Sequence, residues 1–207
     1  MTDHYYTNRP QSEHKVKQIK VAVENVELAL KTDTGVFSKD KLDFGSKLLI
    51  STFSQYVRLD EKSHVLELGS GYGPILLALA KQYPTAHFTG VELNQRAADL
   101  ARENSALNRI TSIEWLNEDA TTLVVNPQYD YVVTNPPIRA GKAVIQAFVR
   151  QAYQALLDQG ELWLVIQKKQ GAPSMSDYME ELFGGVEMME RDKGYWILRS
   201  VKESSNP

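Results

Sequence analysis

Two short stretches of this 207-residue chain combine residue types that do chemistry with spacing that lets them act together. The first is Glu67-Leu-Gly-Ser-Gly-Tyr-Gly73, in which Gly69, Gly71 and Gly73 form a GxGxG pattern between an apolar run ending at Leu68 and another running from Pro74 to Ala80. A strand that feeds a helix through glycines lets a ligand approach bare backbone at the helix N-terminus, where N–H groups lack intrahelical partners. A tight strand-to-helix turn with no ligand has the same appearance. The second stretch is Asn135-Pro-Pro-Ile138, directly after the apolar run Tyr129-Asp-Tyr-Val-Val-Thr134. A carboxamide oxygen at Asn135 accepts one hydrogen of a planar amine, and the carbonyl of Pro136 accepts the other. Pro136 and Pro137 donate no N–H and fix φ, which keeps that carbonyl aimed outward. Holding both hydrogens leaves the nitrogen lone pair directed at an electrophile.

Two acids narrow the ligand of the glycine loop. Glu67 lies two residues before the first glycine, and Glu92 ends the next apolar run, where a carboxylate accepts hydrogen bonds from a ribose diol. A nicotinamide dinucleotide would use Glu92 equally well. The loop separates the two cases, because a dinucleotide fingerprint is GxGxxG and here the third glycine comes one position early, followed by Pro74. Glu67 would also face the negative charge of a pyrophosphate. It suits a cofactor with an ammonium group, and S-adenosylmethionine carries one together with a ribose and an adenine. Asp119, in Asn117-Glu-Asp-Ala120, is placed to accept from an adenine amino group, a solvated loop acid being the plain alternative.

Composition removes other chemistries. There is no cysteine, so disulfides, thiolate metal sites and cysteine nucleophiles are excluded, including the cysteine-dependent route to pyrimidine C5 methylation. His4, His14, His64 and His87 are scattered and form no metal-ligand spacing or triad, so no metal is expected. A net charge of −3 argues against a protein that coats nucleic acid by bulk charge and leaves room for a local basic patch. Residues 1–11 have no apolar core of a signal peptide, and no apolar run approaches the roughly 20 residues of a membrane span. The expectation is a cytoplasmic protein with no membrane partner.

The elements that must hold these residues follow from periodicity. Ile19, Val21 and Val23, then Val26, Leu28 and Leu30, alternate around Glu24-Asn25 and predict a β-hairpin cover. Residues 32–46 are rich in turn formers and precede a helix over 47–53. From His64 the pattern becomes strand 65–68, helix 74–82, strand 87–93, helix 95–108, strand 112–116, strand 129–134, helix 142–157 and strand 160–167. A helix over 177–183 and two strands, 186–191 and 195–201, close the chain. Alternating strands and helices predict an α/β, Rossmann-like sheet, mostly parallel, with one antiparallel strand in the C-terminal hairpin. The chain reads as a single domain over 1–207, with 1–60 as cover and closing segment and 61–203 as the cofactor-binding catalytic core.

Taken together, Glu67 to Gly73, Glu92 and Asn135-Pro-Pro-Ile138 resemble the motifs of class I S-adenosylmethionine-dependent methyltransferases that act on amino nitrogens. Gly35-Val-Phe-Ser-Lys-Asp-Lys-Leu-Asp-Phe-Gly-Ser46 and Asn135-Pro-Pro-Ile-Arg-Ala-Gly-Lys142 are similar more narrowly to the RsmC-like "methyltransferase small" family, whose characterised members methylate guanine N2 in 16S ribosomal RNA. The resemblance spans about residues 33 to 200. It implies that Glu67 and the glycines hold the methionine moiety, Glu92 the ribose, Asp119 the adenine and Asn135 the target amine. Phe37 and Asp43 would close the pocket over cofactor and substrate, although a buried Phe and a helix-capping Asp explain them nearly as well. The implied partner is RNA, ribosomal RNA or the small ribosomal subunit.

The chain departs from the family pattern twice. Members acting on ribosomal RNA often carry an additional degenerate methyltransferase-like domain, and nothing of that size precedes the sheet here. Ile138 stands where amino methyltransferases commonly place an aromatic to stack on the base, which leaves Phe37 or Tyr72 for that task. Arg139, Lys142, Lys168 and Lys169 fall after the fourth and fifth strands of the sheet, on a rim that would contact RNA phosphates; solvated surface charge is the alternative. The expected reaction is direct methyl transfer driven by positioning. Adenine N6 or a protein glutamine amide remains an alternative acceptor, and a non-catalytic cofactor- or RNA-binding module an alternative class.

Overall fold

The computed structural model describes residues 16–33 and 41–204. Seven strands form one sheet: β3 (His64–Leu68), β4 (His87–Val91), β5 (Ile113–Leu116), β6 (Tyr129–Thr134), β7 (Leu156–Gln167), β8 (Glu187–Asp192) and β9 (Tyr195–Val201). Their order is β5-β4-β3-β6-β7-β9-β8, and every pairing is parallel except those of β9 with β7 and β8. The single antiparallel strand is therefore β9, slotted between β7 and β8, as the closing hairpin requires. The chain runs outward from β3 to β5 and then returns to lay β6 on the other side of β3. That reversal is the point at which open α/β sheets bind ligands, beyond the carboxyl ends of the strands.

Alternation along the strands divides the core into two layers. Val65, Val133, Trp163, Val165 and Ile197 pack with α1 (Phe44–Tyr56), α2 (Pro74–Gln82) and α3 (Gln95–Leu107) on one face. Leu66, Leu68, Val132, Leu162, Leu164 and Leu198 pack with α4 (Lys142–Ala155) and α5 (Ala172–Phe183) on the other. Sequence and structure differ mainly at boundaries. The α5 helix starts at Ala172, not 177, because Gly171 supplies its left-handed cap (φ 102°) and Pro173 sits in the first turn, where a missing N–H costs nothing. The β7 strand starts at Leu156, which pairs with Tyr129; an irregularity follows and regular pairing resumes at Glu161 opposite Tyr131. Residues between those two pairs, with Gln159 at φ 65°, made the segment look like a helix end and turn.

The N-terminal hairpin, β1 (Lys17–Val23) with β2 (Val26–Thr32), forms a separate two-stranded sheet. Its register is as the alternation predicts, with Glu24 accepting a left-handed conformation (φ 50°) in the turn. The hairpin is held by two asparagines one helical turn apart, Asn104 on α3 and Asn108 at its C-cap. Asn108 accepts from the Ala29 N–H (3.1 Å) and donates to the Ala29 carbonyl (2.7 Å). Asn104 does the same for Lys31 (2.7 and 3.0 Å), and its amide also reaches the Tyr72 carbonyl in the glycine loop (3.1 Å). Each carboxamide imitates a neighbouring strand. Asn104 is fully buried, and Asn104→Ala strands two groups of Lys31 and one of Tyr72. The expected loss, read by urea denaturation, is about 2–3 kcal/mol, and Asn108→Ala should cost less because Asn108 is only half-buried.

Candidate active site

The glycine loop leaves β3 at Leu68 and enters α2 at Pro74, with Gly69, Gly71 and Gly73 all in the left-handed region (φ 73°, 57° and 89°). Side chains rarely adopt that conformation, which explains the glycines before any ligand is considered. Gly73 has a second reason. A Cβ there would lie 2.6 Å from the Trp115 ring, which also presses on Gly90 (2.3 Å) and donates its indole N–H to Ser105. The expectation of free loop N–H groups needs correction. Gly69 and Ser70 donate to the Val91 carbonyl, Gly71 to Glu92 and Gly73 to the Ser70 carbonyl. What the loop offers a ligand is bare backbone, not vacant donors.

Glu67 shares the face of β3 that carries Val65 and is 1% exposed. The Leu76 N–H in the first turn of α2 donates to it, yet Oε2 is buried and accepts nothing. Burial pushes its carboxyl well above the ordinary range, with Glu92 and Asp43 adding like-charge repulsion. Glu92, at the end of β4, spends one lone pair of each oxygen on backbone: Oε2 accepts from Gly71 (2.8 Å) and Oε1 from Asn94 (2.7 Å). The Leu93 N–H donates to the carboxylate as well; burial raises its pKa against these hydrogen bonds, and three backbone donors leave about one of its four acceptor positions open. Asp119 is half-buried, with Oδ1 held by the Thr121 N–H and hydroxyl (2.8 and 2.7 Å) in a local turn.

Asn135 follows β6, which pairs with β3 so that Val133 stands opposite Glu67. Thr134 is fully buried and ties the strand ends together, its hydroxyl donating to the Leu68 carbonyl (2.8 Å). The Asn135 amide nitrogen donates to Asp43 Oδ1 (3.0 Å) and Ser46 Oγ (2.9 Å). That spends both amide hydrogens, so Oδ1 is turned the other way, with no partner among the described residues. Asp43 is the N-cap of α1 and accepts the Ser46 N–H as well (2.9 Å). No hydrogen bond among the described residues reaches the Pro136 carbonyl, whereas that of Pro137 is spent on Ala140 in a short 3₁₀ turn, Ile138–Ala140. The structure thus brings Glu67, Glu92, the three glycines, Asn135 and Asp43 to one end of the sheet.

Other expected residues fare differently. Ile138 is half-buried against the α4–α5 layer. Tyr72 is 2% exposed in the opposite layer, so it is not placed to stack on a base at the surface. Phe37 lies outside the described residues. Arg139 and Lys142 are exposed beside the 3₁₀ turn, and Lys168 and Lys169 are exposed beyond β7. The sequence reading missed Thr134, Ser46 and Ser70, whose buried Oγ has no partner. It also missed Lys193, which the closing turn brings to the same rim. Among the described residues no group of three or more acids and histidines could hold a metal, and no helix is long and apolar enough to cross a membrane.

A family model described as the methyltransferase small domain matches residues 27–199. The chain belongs to this family. Among curated relatives, an uncharacterised Bacillus subtilis protein, YbxB, is 38% identical over 98% of this chain and all of its own length. Ribosomal RNA small subunit methyltransferase C of Klebsiella pneumoniae is 30% identical over 84% of this chain and 49% of its own length. Among solved structures, the T. thermophilus 16S rRNA N2 methyltransferase RsmC, in complex with AdoMet and guanosine, superposes with a TM-score of 0.79 at 27% identity. That match covers 94% of this chain and 52% of the other. The chain therefore spans about half the length of the RsmC relatives it matches.

As a methyltransferase small domain, the chain is a class I, S-adenosylmethionine-dependent methyltransferase by family and fold. Its residues fit that cofactor on two observations. The orphaned buried oxygen of Glu67 is an acceptor suited to an ammonium group, whose positive charge would favour the ionised carboxylate, and the acceptor position left on Glu92 suits a ribose hydroxyl. The raised pKa of Glu67 also has a stability consequence. Between the unfolded carboxyl pKa and the raised folded one, the native state holds a proton that the unfolded chain has released, so stability falls as pH rises through that window. Glu67→Gln removes the penalty. Denaturation of the cofactor-free proteins should show the variant gaining on the wild type at pH 8, with the gain vanishing as the pH drops towards 4.

Proposed function

We propose that this methyltransferase small domain transfers the methyl group of S-adenosylmethionine to an exocyclic amine of RNA, guanine N2 of 16S ribosomal RNA being the favoured target. The observation that carries this reading is the locked carboxamide of Asn135. With both amide hydrogens committed to Asp43 and Ser46, the side chain presents only an acceptor, and the Pro136 carbonyl is available as a second one. Two acceptors match the two hydrogens of a planar amine, and a hydroxyl or ring-nitrogen acceptor would leave one unmet. Small-subunit ribosomal RNA is supported by the likeness to the Klebsiella pneumoniae methyltransferase C and guanine N2 by the likeness to T. thermophilus RsmC, each about twice as long as the matched segment.

In the mechanism, Glu67 and the bare backbone of Gly69, Gly71 and Gly73 hold the methionine end of the cofactor. Glu92 holds the ribose and Asp119 the adenine. Bound there, S-adenosylmethionine supplies a methyl group made electrophilic by its sulfonium. Asn135 and Pro136 grip the amine hydrogens, so the nitrogen lone pair points away from the protein carbonyls. Positioning of this kind supplies much of the acceleration, since the electrophile is already activated. The carboxylate of Asp43, one hydrogen bond behind Asn135, favours the positive charge that the amine acquires. That proton then leaves to solvent without a dedicated strong base.

Two variants separate grip from fold. Asn135→Ala should bind S-adenosylmethionine within a few-fold of wild type by calorimetry while kcat drops at least about 100-fold; full activity would remove Asn135 from the mechanism. Asp43→Ser keeps a helix cap of similar strength but is too short to reach Asn135. Its melting temperature should stay close to wild type while turnover falls, because the carboxamide is free to present its amine instead. The substrate is tested by nucleoside mass spectrometry of ribosomal RNA from cells lacking this protein. Loss of a methylated guanosine is expected, and an unchanged guanosine profile with loss of N6-methyladenosine would move the target to adenine.

A further inference from the structure

The end of β7 and the start of β9 are register partners at Gln167 and Tyr195, so the turn Asp192–Gly194 stands at the same end of the sheet as Asn135. The turn is pinned there by the Lys168 N–H, which donates to the Gly194 carbonyl (2.8 Å), with Lys193 and Gly194 both left-handed (φ 47° and 82°). Between the turn and the start of α5 lies an open cavity of about 470 Å³, lined by Gln167, Lys168, Lys169, Pro173, Lys193 and Gly194. Three features distinguish it from an ordinary charged surface. No carboxylate lines it, and none of its three ammonium groups is paired with one among the described residues. Gln167 contributes a buried Oε1 with no hydrogen-bond partner. The wall also continues to the acceptor site: Lys193 Nζ lies 4.6 Å from the centre of the Phe44 ring, Phe44 lies 5.5 Å from Tyr195, and Phe44 follows Asp43, which grips Asn135.

We propose that this cavity is a second nucleotide subsite, holding the nucleotide that flanks the methylated one in a single-stranded RNA segment. The proposal deepens the RNA reading above and rests on it. Lys168, Lys169 and Lys193 take the phosphates, where ammonium groups act as point charges. Pro173 and the lysine stems give a base an apolar surface, and Gln167 reads its edge. The volume falls within the roughly 300–1,000 Å³ of small-ligand pockets, enough for one nucleotide and short of a duplex. Double-stranded RNA would present its bases stacked and paired, whereas a splayed single strand can offer one amine to Asn135 and the next base to this cavity.

The test uses the full chain and a fluorescently labelled single-stranded oligoribonucleotide centred on guanine, followed by anisotropy across a salt series. The variant Lys168→Gln/Lys169→Gln/Lys193→Gln should lose at least about tenfold in affinity. The slope of log affinity against log salt should flatten by about 0.7 for each phosphate contact removed. S-adenosylmethionine affinity by calorimetry should not change, and RNA methylation should suffer in KM, not kcat. Gln167→Leu should alter the preference for the flanking base and leave the salt slope alone. A triple variant with wild-type affinity and slope overturns the subsite and leaves the function intact, provided the wild type binds and methylates RNA. A wild type that binds the cofactor but no RNA overturns both. Competition by adenosine 5′-monophosphate as strong as that of the oligoribonucleotide identifies a free-nucleotide site and overturns the proposal.

Discussion

The arrangement depends on the parallel pairing of β3 with β6. Because Glu67 stands opposite Val133, the two strands end level, and whatever follows each of them emerges side by side. The Thr134 hydroxyl closes this pairing at its last step by donating to the Leu68 carbonyl. One strand then releases the glycine loop and the other the Asn-Pro-Pro turn, so donor and acceptor chemistry share a boundary without either segment having to reach. Glu67, Glu92 and Asn135 lie in or directly after their strands, and Asp43 comes to them from the N-cap of α1. The strands set the spacing, and the loops supply only conformation.

A second constraint is that backbone groups near the site are largely satisfied within the protein. The Val91 carbonyl takes two loop N–H groups, Glu92 bridges the glycine loop and the start of α3, and Asn104 bridges that loop and the hairpin. Buried backbone groups left unpaired are costly, so this satisfaction fixes the loop before any ligand arrives. What stays unsatisfied then stands out: one oxygen of Glu67, the Ser70 hydroxyl and the outward oxygen of Asn135. Rigid surroundings and a few unmet groups are the conditions for a pre-formed site.

Much of this was legible in the sequence because local signals punctuate it. Pro74 and the glycines fixed the start of α2, the alternation around Glu24-Asn25 fixed the hairpin register, and Tyr129 to Thr134 matched β6. The candidate site was read from motif order alone. Less legible were contacts between segments far apart. Asp43 and Asn135 are separated by 92 positions, and nothing periodic in either segment announces that one carboxylate caps a helix and aims a carboxamide. Gly73 looked like a ligand-facing glycine, and only the third dimension shows Trp115 lying against it. Lys193 sits in a turn whose place on the rim depends on β9 entering between β7 and β8, a choice that no short window of sequence records. The start of α5 was hidden because Gly171 and Pro173, read singly, are loop residues.

The asparagine contacts of the hairpin bear on how this protein behaves among its neighbours. A two-stranded sheet has two raw edges, each able to recruit a strand from another molecule. Along β2 the Ala29 and Lys31 backbone groups that would do so are occupied by Asn104 and Asn108. The other strand carries Lys17 and Lys20, a residue type that discourages edge pairing. The same two carboxamides that fasten the cover to α3 thus deny the β2 edge to stray chains, so protection of that edge is a by-product of how the cover is attached.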